Sequence, residues 1–305
     1  MSGPDRTLAT LGRRRAEVVE TAKSGAYHLI TVLDRGGPEP QPGQFYMLAV
    51  ADLPGTGAGF GPAAGLGRDS QWTGRPYLPR AFSVAEAVVG EDGVRLSFVF
   101  APVGPGTERL ARLGVGGPAL GLHGPLGVGF SSPRRLNPDA AGAILVAGGI
   151  GIAPIAIWRK RLAATNTAVR TLLGFRDAAH CGGLELFGKC ANLVLVSEDG
   201  HLGRRGFVTE PLEEMLAGDG AAGAAVYACG PPAMLEAVRV ICAERAVGVE
   251  LALETPMGCG FGACFGCAVP LADGGYLRLC VDGPVVRGDR IETALVAGSG
   301  HRSRR

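Results

Sequence analysis

Ala143-Ile144-Leu145-Val146-Ala147 runs directly into Gly148-Gly149-Ile150-Gly151-Ile152-Ala153-Pro154. Five apolar residues without polar alternation read as a strand buried on both faces, and the glycine turn leads into a helix over about 154–164. A strand over 170–175 completes the unit. A second unit follows, with a strand at 193–197, a helix at 209–216, a strand at 225–228 and a helix at 232–245. Strands alternating with helices predict a parallel sheet. A glycine turn between strand and helix brings backbone N–H groups and the positive helix end against a phosphate. Glycine-rich strand exits are also common as plain turns, so this one needs company. It comes from Tyr227-Ala228-Cys229-Gly230-Pro231-Pro232, a second strand that ends in a small-residue turn before a helix. Ligands of open α/β sheets bind at such carboxyl ends. Gly148, Gly149, Gly151, Cys229, Gly230 and Pro231 are therefore the candidate nucleotide-binding residues.

Toward the N-terminus the rhythm changes. Runs at 27–33, 44–50, 80–89, 94–103 and 119–123 are short, apolar or alternating, and separated by glycine and proline. They predict a small antiparallel barrel. Residues 51–77 lack periodicity and read as a long loop of no assigned role. Within the barrel, Arg80-Ala81-Phe82-Ser83 begins a strand, and Gly106-Thr107 begins a short helix over 107–113. A guanidinium, a hydroxyl and a helix start suit the pyrophosphate of a dinucleotide.

Toward the C-terminus, glycine and cysteine become dense from Val249 onward. Cys259, Cys264 and Cys267 have C-x4-C-x2-C spacing, and Cys280 follows after twelve residues. That is the plant-type ferredoxin spacing, whose thiolates hold a 2Fe-2S cluster. Gly258, Gly260, Gly262 and Gly266 give the loop the backbone freedom to wrap a compact anion. Four thiolates also suit zinc, but zinc sites show paired C-x-x-C hooks, and here only Cys264 and Cys267 form one. Cys181, Cys190 and Cys242 read as ordinary thiols.

Composition sets the outer limits. A chain of 305 residues that is 47% hydrophobic has ample core for two domains and a small module. A net charge of +2 gives no field to recruit nucleic acid or an anionic membrane. Nothing resembles a signal peptide or a membrane span, which leads us to expect a reducing cytoplasm and cysteines used as metal ligands. The fold class is thus α+β multidomain: a barrel domain at 1–136, an α/β nucleotide domain at 137–246, an iron–sulfur module at 247–292 and a basic tail at 293–305.

In order, these motifs resemble one family, the electron-transfer subunit of the two-subunit NAD-dependent dihydroorotate dehydrogenase, within the ferredoxin-reductase-like flavoproteins. The likeness spans about 16–288. Its most specific part is Leu253-Glu254, Met257, Cys259-Gly260, Gly262, Cys264, Gly266-Cys267 and Cys280-Val281-Asp282-Gly283-Pro284. Gly124-Pro125-Leu126-Gly127, Gly174-Phe175-Arg176 and Gly206-Phe207-Val208-Thr209 are also similar.

The resemblance implies an FAD site at Arg80, Ala81, Phe82 and Ser83, at Val99, Phe100 and Ala101, and at Gly106 and Thr107. It implies Cys259, Cys264, Cys267 and Cys280 as cluster ligands. By analogy with the wider reductase group Cys229 lies near the nicotinamide; equally, it is a small residue suited to a strand end. Ala101 stands where the family pattern expects a basic residue, and the 51–77 loop is longer than that pattern. The implied activity takes electrons from dihydroorotate, oxidised on FMN in a catalytic partner subunit, through the cluster and FAD to NAD(H), in pyrimidine biosynthesis. The implied assembly is a heterotetramer with two copies of each subunit. No acid–base residue is expected, and the five histidines are scattered. The rival readings are the electron-transfer subunit of a ferredoxin:NADP oxidoreductase, sulfide dehydrogenase or hydrogenase, and a zinc-stabilised regulatory module. NAD and NADP are not separated, because Arg176 suits a 2′-phosphate and the adjacent Asp177 a ribose hydroxyl.

Overall fold

The structure is a computed structural model that describes residues 6–10, 12–50, 79–188, 190, 192–217 and 223–296. The 51–77 loop and the tail from 297 onward lie outside the described residues. Six strands close an antiparallel barrel: β1 (Arg14–Ser24), β2 (Tyr27–Asp34), β3 (Phe45–Val50), β4 (Arg80–Gly90), β5 (Gly93–Phe100) and β6 (Leu120–Leu126), in the order β1-β2-β5-β4-β3-β6. Alternation places Ile30 and Val32 of β2, and Leu96 and Phe98 of β5, in the interior. Closure leaves no sheet edge to protect. β1 was not among the expected runs. Its sequence RRAEVVETAKS turns only Ala16 and Val18 fully inward, so apolar alternation is weak. A buried ion pair joins its start to β2: Arg14 donates to Asp34 at 2.7 Å, and Arg14 Nη2 also donates to Gly124 O at 2.7 Å.

The short helix α1 (Pro105–Ala111) follows β5, and α2 (Pro133–Leu136) follows β6. The second unit is a seven-stranded sheet built from β7 (Gly142–Gly148), β8 (Ala168–Phe175), β9 (Leu193–Ser197), β10 (Arg204–Arg205), β11 (Ala224–Cys229), β12 (Gly248–Ala252) and β15 (Val285–Arg287). Its order is β10-β9-β8-β7-β11-β12-β15, parallel except for β15. The helices are α3 (Ile152–Ala164), α4 (Thr209–Met215) and α5 (Pro232–Glu244). Residues 143–148 of β7 are all buried, as a central parallel strand requires. α3 is apolar nearly all round because it is covered on both sides: Ile155 and Trp158 join the sheet core, and Ile157 joins the barrel core.

The chain runs from β7 outward through β8 and β9, then returns to the other side of β7 for β11 and β12. The exits of β7 and β11 therefore flank the switch point of the sheet, where open α/β sheets bind ligands. The sheet also continues beyond the expected 246/247 division, since β12 pairs with β11 and β15 pairs with β12. Between those two strands lie the cysteine loop, the hairpin β13 (Ala268–Pro270) and β14 (Tyr276–Arg278), and the helical turn α6 (Leu279–Asp282).

Candidate functional site

A cavity of about 390 Å³ opens between barrel and sheet. Its size and largely apolar walls fall in the range of cofactor sites. Every barrel residue expected at the flavin lines it: Arg80, Ala81, Phe82 and Ser83 from β4, Val99 and Phe100 from β5 with Ala101 just beyond, and Gly106 and Thr107 from α1. Phe82 meets Phe100 edge to face at 5.9 Å. Arg80 crosses the start of α1 so closely that a Cβ on Gly106 would come within 2.8 Å of Arg80 Nε, so a side chain there would displace the guanidinium. Thr107 has a more local task. Its hydroxyl accepts from Val103 N (2.9 Å) and Gly104 N (3.1 Å) and donates to Gly104 O (3.0 Å). Arg80 and Glu254 are the charged residues among those lining the cavity, and Ala101 brings no cation.

The two expected glycine turns meet. A Cβ on Gly148 would approach Pro231 Cδ within 2.8 Å, and one on Gly230 would lie 2.9 Å from Gly148 N. Ile150, Ala153 and Pro154 of this turn and of α3 line the same cavity, so the crevice and the cavity adjoin. Cys229 is fully buried at the end of β11, and burial, with Glu254 nearby, pushes its thiol far up. It is a neutral thiol.

The four clustered cysteines are free thiols arranged as two pairs. Cys267 Sγ and Cys280 Sγ stand 3.2 Å apart, and Cys259 hydrogen-bonds with Cys264. Burial works against the Cys259 thiolate, yet N–H groups of Cys264, Phe261 and Ala263 outweigh it and bring the group to about 6. Burial, with Cys267 beside it, raises Cys280 to about 12. Gly260 and Gly262 have φ of +80° and +87°. A Cβ on Gly260 would come within 2.6 Å of Met47 Cγ, so the loop rests on barrel strand β3. Among the described residues no three His, Cys, Asp or Glu side chains converge on a single metal ion. Two thiol pairs suit a two-iron centre with two thiolates per iron.

The segment leading to Cys259, noted in the sequence only as part of the family pattern, also walls the cavity. Leu253, Glu254, Thr255 and Met257 line it, together with Pro284 from beyond the last cysteine. Thr255 Oγ1 is buried and has no hydrogen-bond partner among the described residues. An unpaired buried hydroxyl costs about 1–3 kcal/mol, which a polar atom of a bound ligand would relieve. A signal was present in the Leu253-Glu254 and Met257 positions of the family pattern, read there only as signature.

Comparisons with known proteins agree with this geometry. Residues 254–292 match the family model of the iron–sulfur cluster binding domain of dihydroorotate dehydrogenase B, and residues 145–240 match the oxidoreductase NAD-binding domain. The dihydroorotate dehydrogenase B (NAD(+)) electron transfer subunit of Clostridium acetobutylicum is 32% identical, covering 84% of this chain and 88% of its own. The corresponding subunit of Bacillus velezensis is also 32% identical, over 82% and 87%. The chain belongs to the family of dihydroorotate dehydrogenase B electron transfer subunits. Its fold is that of this family's wider group. The structure of an NADH-dependent reduced ferredoxin-NADP oxidoreductase superposes with a TM-score of 0.71 at 23% identity, covering 93% of this chain and 92% of the other. A ferredoxin NADP+ reductase from Neisseria gonorrhoeae gives 0.57 at 15% identity, over 76% and 91%.

None of the described histidines lines the cavity. His28 stacks on Phe100 at 5.7 Å, His123 Nδ1 bonds Gly12 O at 3.1 Å, and His180 pairs with Asp177 at 2.6 Å.

Proposed function

We propose that this chain carries electrons between a partner flavoenzyme and NAD(H), holding FAD in the cavity and a 2Fe-2S cluster on Cys259, Cys264, Cys267 and Cys280. The observation that carries this reading is the segment 253–259, whose first residues wall the cavity and whose last residue is the first clustered thiol. FAD exchanges a hydride with NAD(H) and single electrons with a 2Fe-2S cluster, so it joins the two kinds of carrier. The protein's residues supply placement. Arg80 and the start of α1 hold the pyrophosphate, and Phe82, Ser83 and the 99–101 strand end take the flavin itself. The 148–151 turn and the Cys229-Gly230-Pro231 segment seat the nicotinamide nucleotide at the switch point. The neutral, buried Cys229 suits a packing role beside the nicotinamide and no acid–base one. Arg176 donates to Asp177 at 3.2 Å and contacts His180, so the residue suited to a 2′-phosphate and the one suited to a ribose hydroxyl are paired with each other.

The units we assign are the FAD barrel (1–136), the nucleotide domain (137–246), the cluster module (247–292) and the tail (293–305), with the sheet crossing the second boundary. The partner is an FMN-containing catalytic subunit that oxidises dihydroorotate, assembled as two copies of each. Its docking face is the one around exposed Cys264, where Phe261, Phe265 and Tyr276 are 63%, 62% and 74% exposed. No described helix is long and apolar enough to cross a membrane, and we place the complex in the cytoplasm.

The test is an absorption spectrum of anaerobically purified protein with iron, zinc and acid-labile sulfide assayed on the same sample. About one FAD, two irons and two sulfides per chain, with the flavin bleached by NADH, is the expected result. Stoichiometric zinc, or neither flavin nor iron after anaerobic reconstitution, would overturn it. Reconstitution of dihydroorotate-dependent NAD+ reduction with the FMN subunit then tests the partner.

A further inference from the structure

The barrel touches the nucleotide sheet at a second place, away from the flavin cavity. The turn between β1 and β2 presses on the segment that follows β8. Ala26 N donates to Cys181 O at 2.9 Å, and Gly183 N donates to Ser24 Oγ at 2.7 Å. Ser24 Oγ in turn donates to Glu185 Oε2 at 2.7 Å. Tyr27, buried at the start of β2, donates its phenol to His180 O at 3.0 Å. The fit leaves no room for a side chain at Gly182, where a Cβ would approach Tyr27 Cδ2 within 2.9 Å. The same phenol oxygen faces Gly149, standing 3.6 Å from where its Cβ would be. Burial, with Cys181 adding to it, pushes the Tyr27 phenol up to about 12, so it stays a donor across the physiological range.

One side chain of the barrel thus bonds the loop that carries Arg176 and Asp177 and turns its phenol oxygen toward the 148–151 turn of the nucleotide crevice. We propose that Ser24 and Tyr27 are positioning residues for the dinucleotide, contributed by the flavin barrel to a site on the sheet. The inference rests on the dinucleotide reading of the 148–151 turn. Its physical basis is the tolerance of hydride transfer. The reacting rings must meet at about 3–3.5 Å, and a displacement of about 1 Å costs on the order of a hundredfold in rate. Here one ring is carried by the barrel and the other by the sheet. The clamp fixes the loop after β8 to the barrel, with the Tyr27 phenol facing the phosphate turn.

The experiment compares full-length holoprotein with Tyr27→Phe and Ser24→Ala. Each variant removes one hydroxyl and leaves the flavin cavity and the cysteine loop untouched. Calorimetric binding of ADP-ribose, a redox-inert probe, reads nucleotide placement. Stopped-flow flavin reduction at saturating NADH reads ring alignment. FAD and iron content should match the unaltered protein. The ADP-ribose Kd should rise about three- to tenfold, the worth of one hydrogen bond, and the saturating reduction rate should fall. A change in either quantity supports the proposal. If both stay at the unaltered values while only the thermal midpoint drops, the clamp is structural and the proposal is wrong. Failure of the underlying reading looks different: the unaltered protein itself would then not bind ADP-ribose, and both inferences would fall together.

Discussion

The cavity proposed for the flavin and the cysteine loop are neighbours that share a segment, yet they are held by different means. The cavity is walled by β4, β5, α1 and α3, elements whose own cores fix them, so its shape precedes its ligand. The cysteine loop is held by backbone N–H groups around Cys259, by glycines at positive φ, by Arg278 donating to Gly262 O and by contact with Met47 and Leu126, with Cys264 exposed. One site is organised by packing, the other by local hydrogen bonds that a bound group must complete.

The difference is open to attack from both sides. Replacing a thiol should cost most. Loss of outer partners of a metal site already costs about 10–100-fold, so Cys280→Ser should lower electron transfer to the partner by about 100-fold or more. Iron and sulfide per chain should fall in the same sample while NADH still bleaches the flavin. A flavin lost along with the iron would show that the two sites are one. Arg80→Ala is the converse: removing a charge-assisted contact should weaken FAD binding about 10–100-fold by fluorescence titration, with iron content unchanged.

A third prediction concerns how the module is anchored. Arg239 lowers Glu236 to about 2, against burial and with help from Ala294 N, which donates to it at 2.6 Å. A depressed carboxyl stabilises the fold above its unfolded value near 4.5, and that contribution is lost as pH falls toward 2. Acid unfolding should therefore begin at higher pH in Glu236→Gln, with a loss of about 1–3 kcal/mol at neutral pH, measured by denaturant titration. Equal acid midpoints would refute the anchor. The smallest effect is expected where the two sites join. Thr255→Val should weaken FAD about two- to tenfold and shift the flavin absorption bands, and Thr255→Ser should restore both.

What was legible in the sequence follows the same division. The 143–154 stretch announces its strand, turn and helix through five consecutive apolar residues and a glycine run, and the clustered cysteines announce themselves by spacing alone. β1 does not, because five of its eleven residues are charged and only Ala16 and Val18 are buried, so barrel closure makes it a strand. β12 and β15 are five and three residues long, and β15 joins the sheet by pairing with β12 across more than thirty residues of chain. The convergence of Leu253, Thr255, Met257 and Pro284 on the flavin cavity is likewise a product of tertiary packing, as is the contact of Tyr27 with His180. The expected basic residue at 101 has no substitute on that strand end, which leaves Arg80 as the cation among the cavity's lining residues.

Ala252 of β12 lies opposite Val285 of β15, so the whole iron-binding stretch departs from and returns to adjacent rungs of one sheet. Topologically it is an excursion between two paired strands. Amputating the C-terminus at residue 247 would therefore strip the sheet of two strands, whereas splicing 252 to 285 through a short reverse turn would keep it whole. Such a spliced chain should fold and bind nucleotide but lose flavin, because the excursion takes with it one wall of the neighbouring cavity; a spliced chain that still purifies yellow would show that wall to be dispensable.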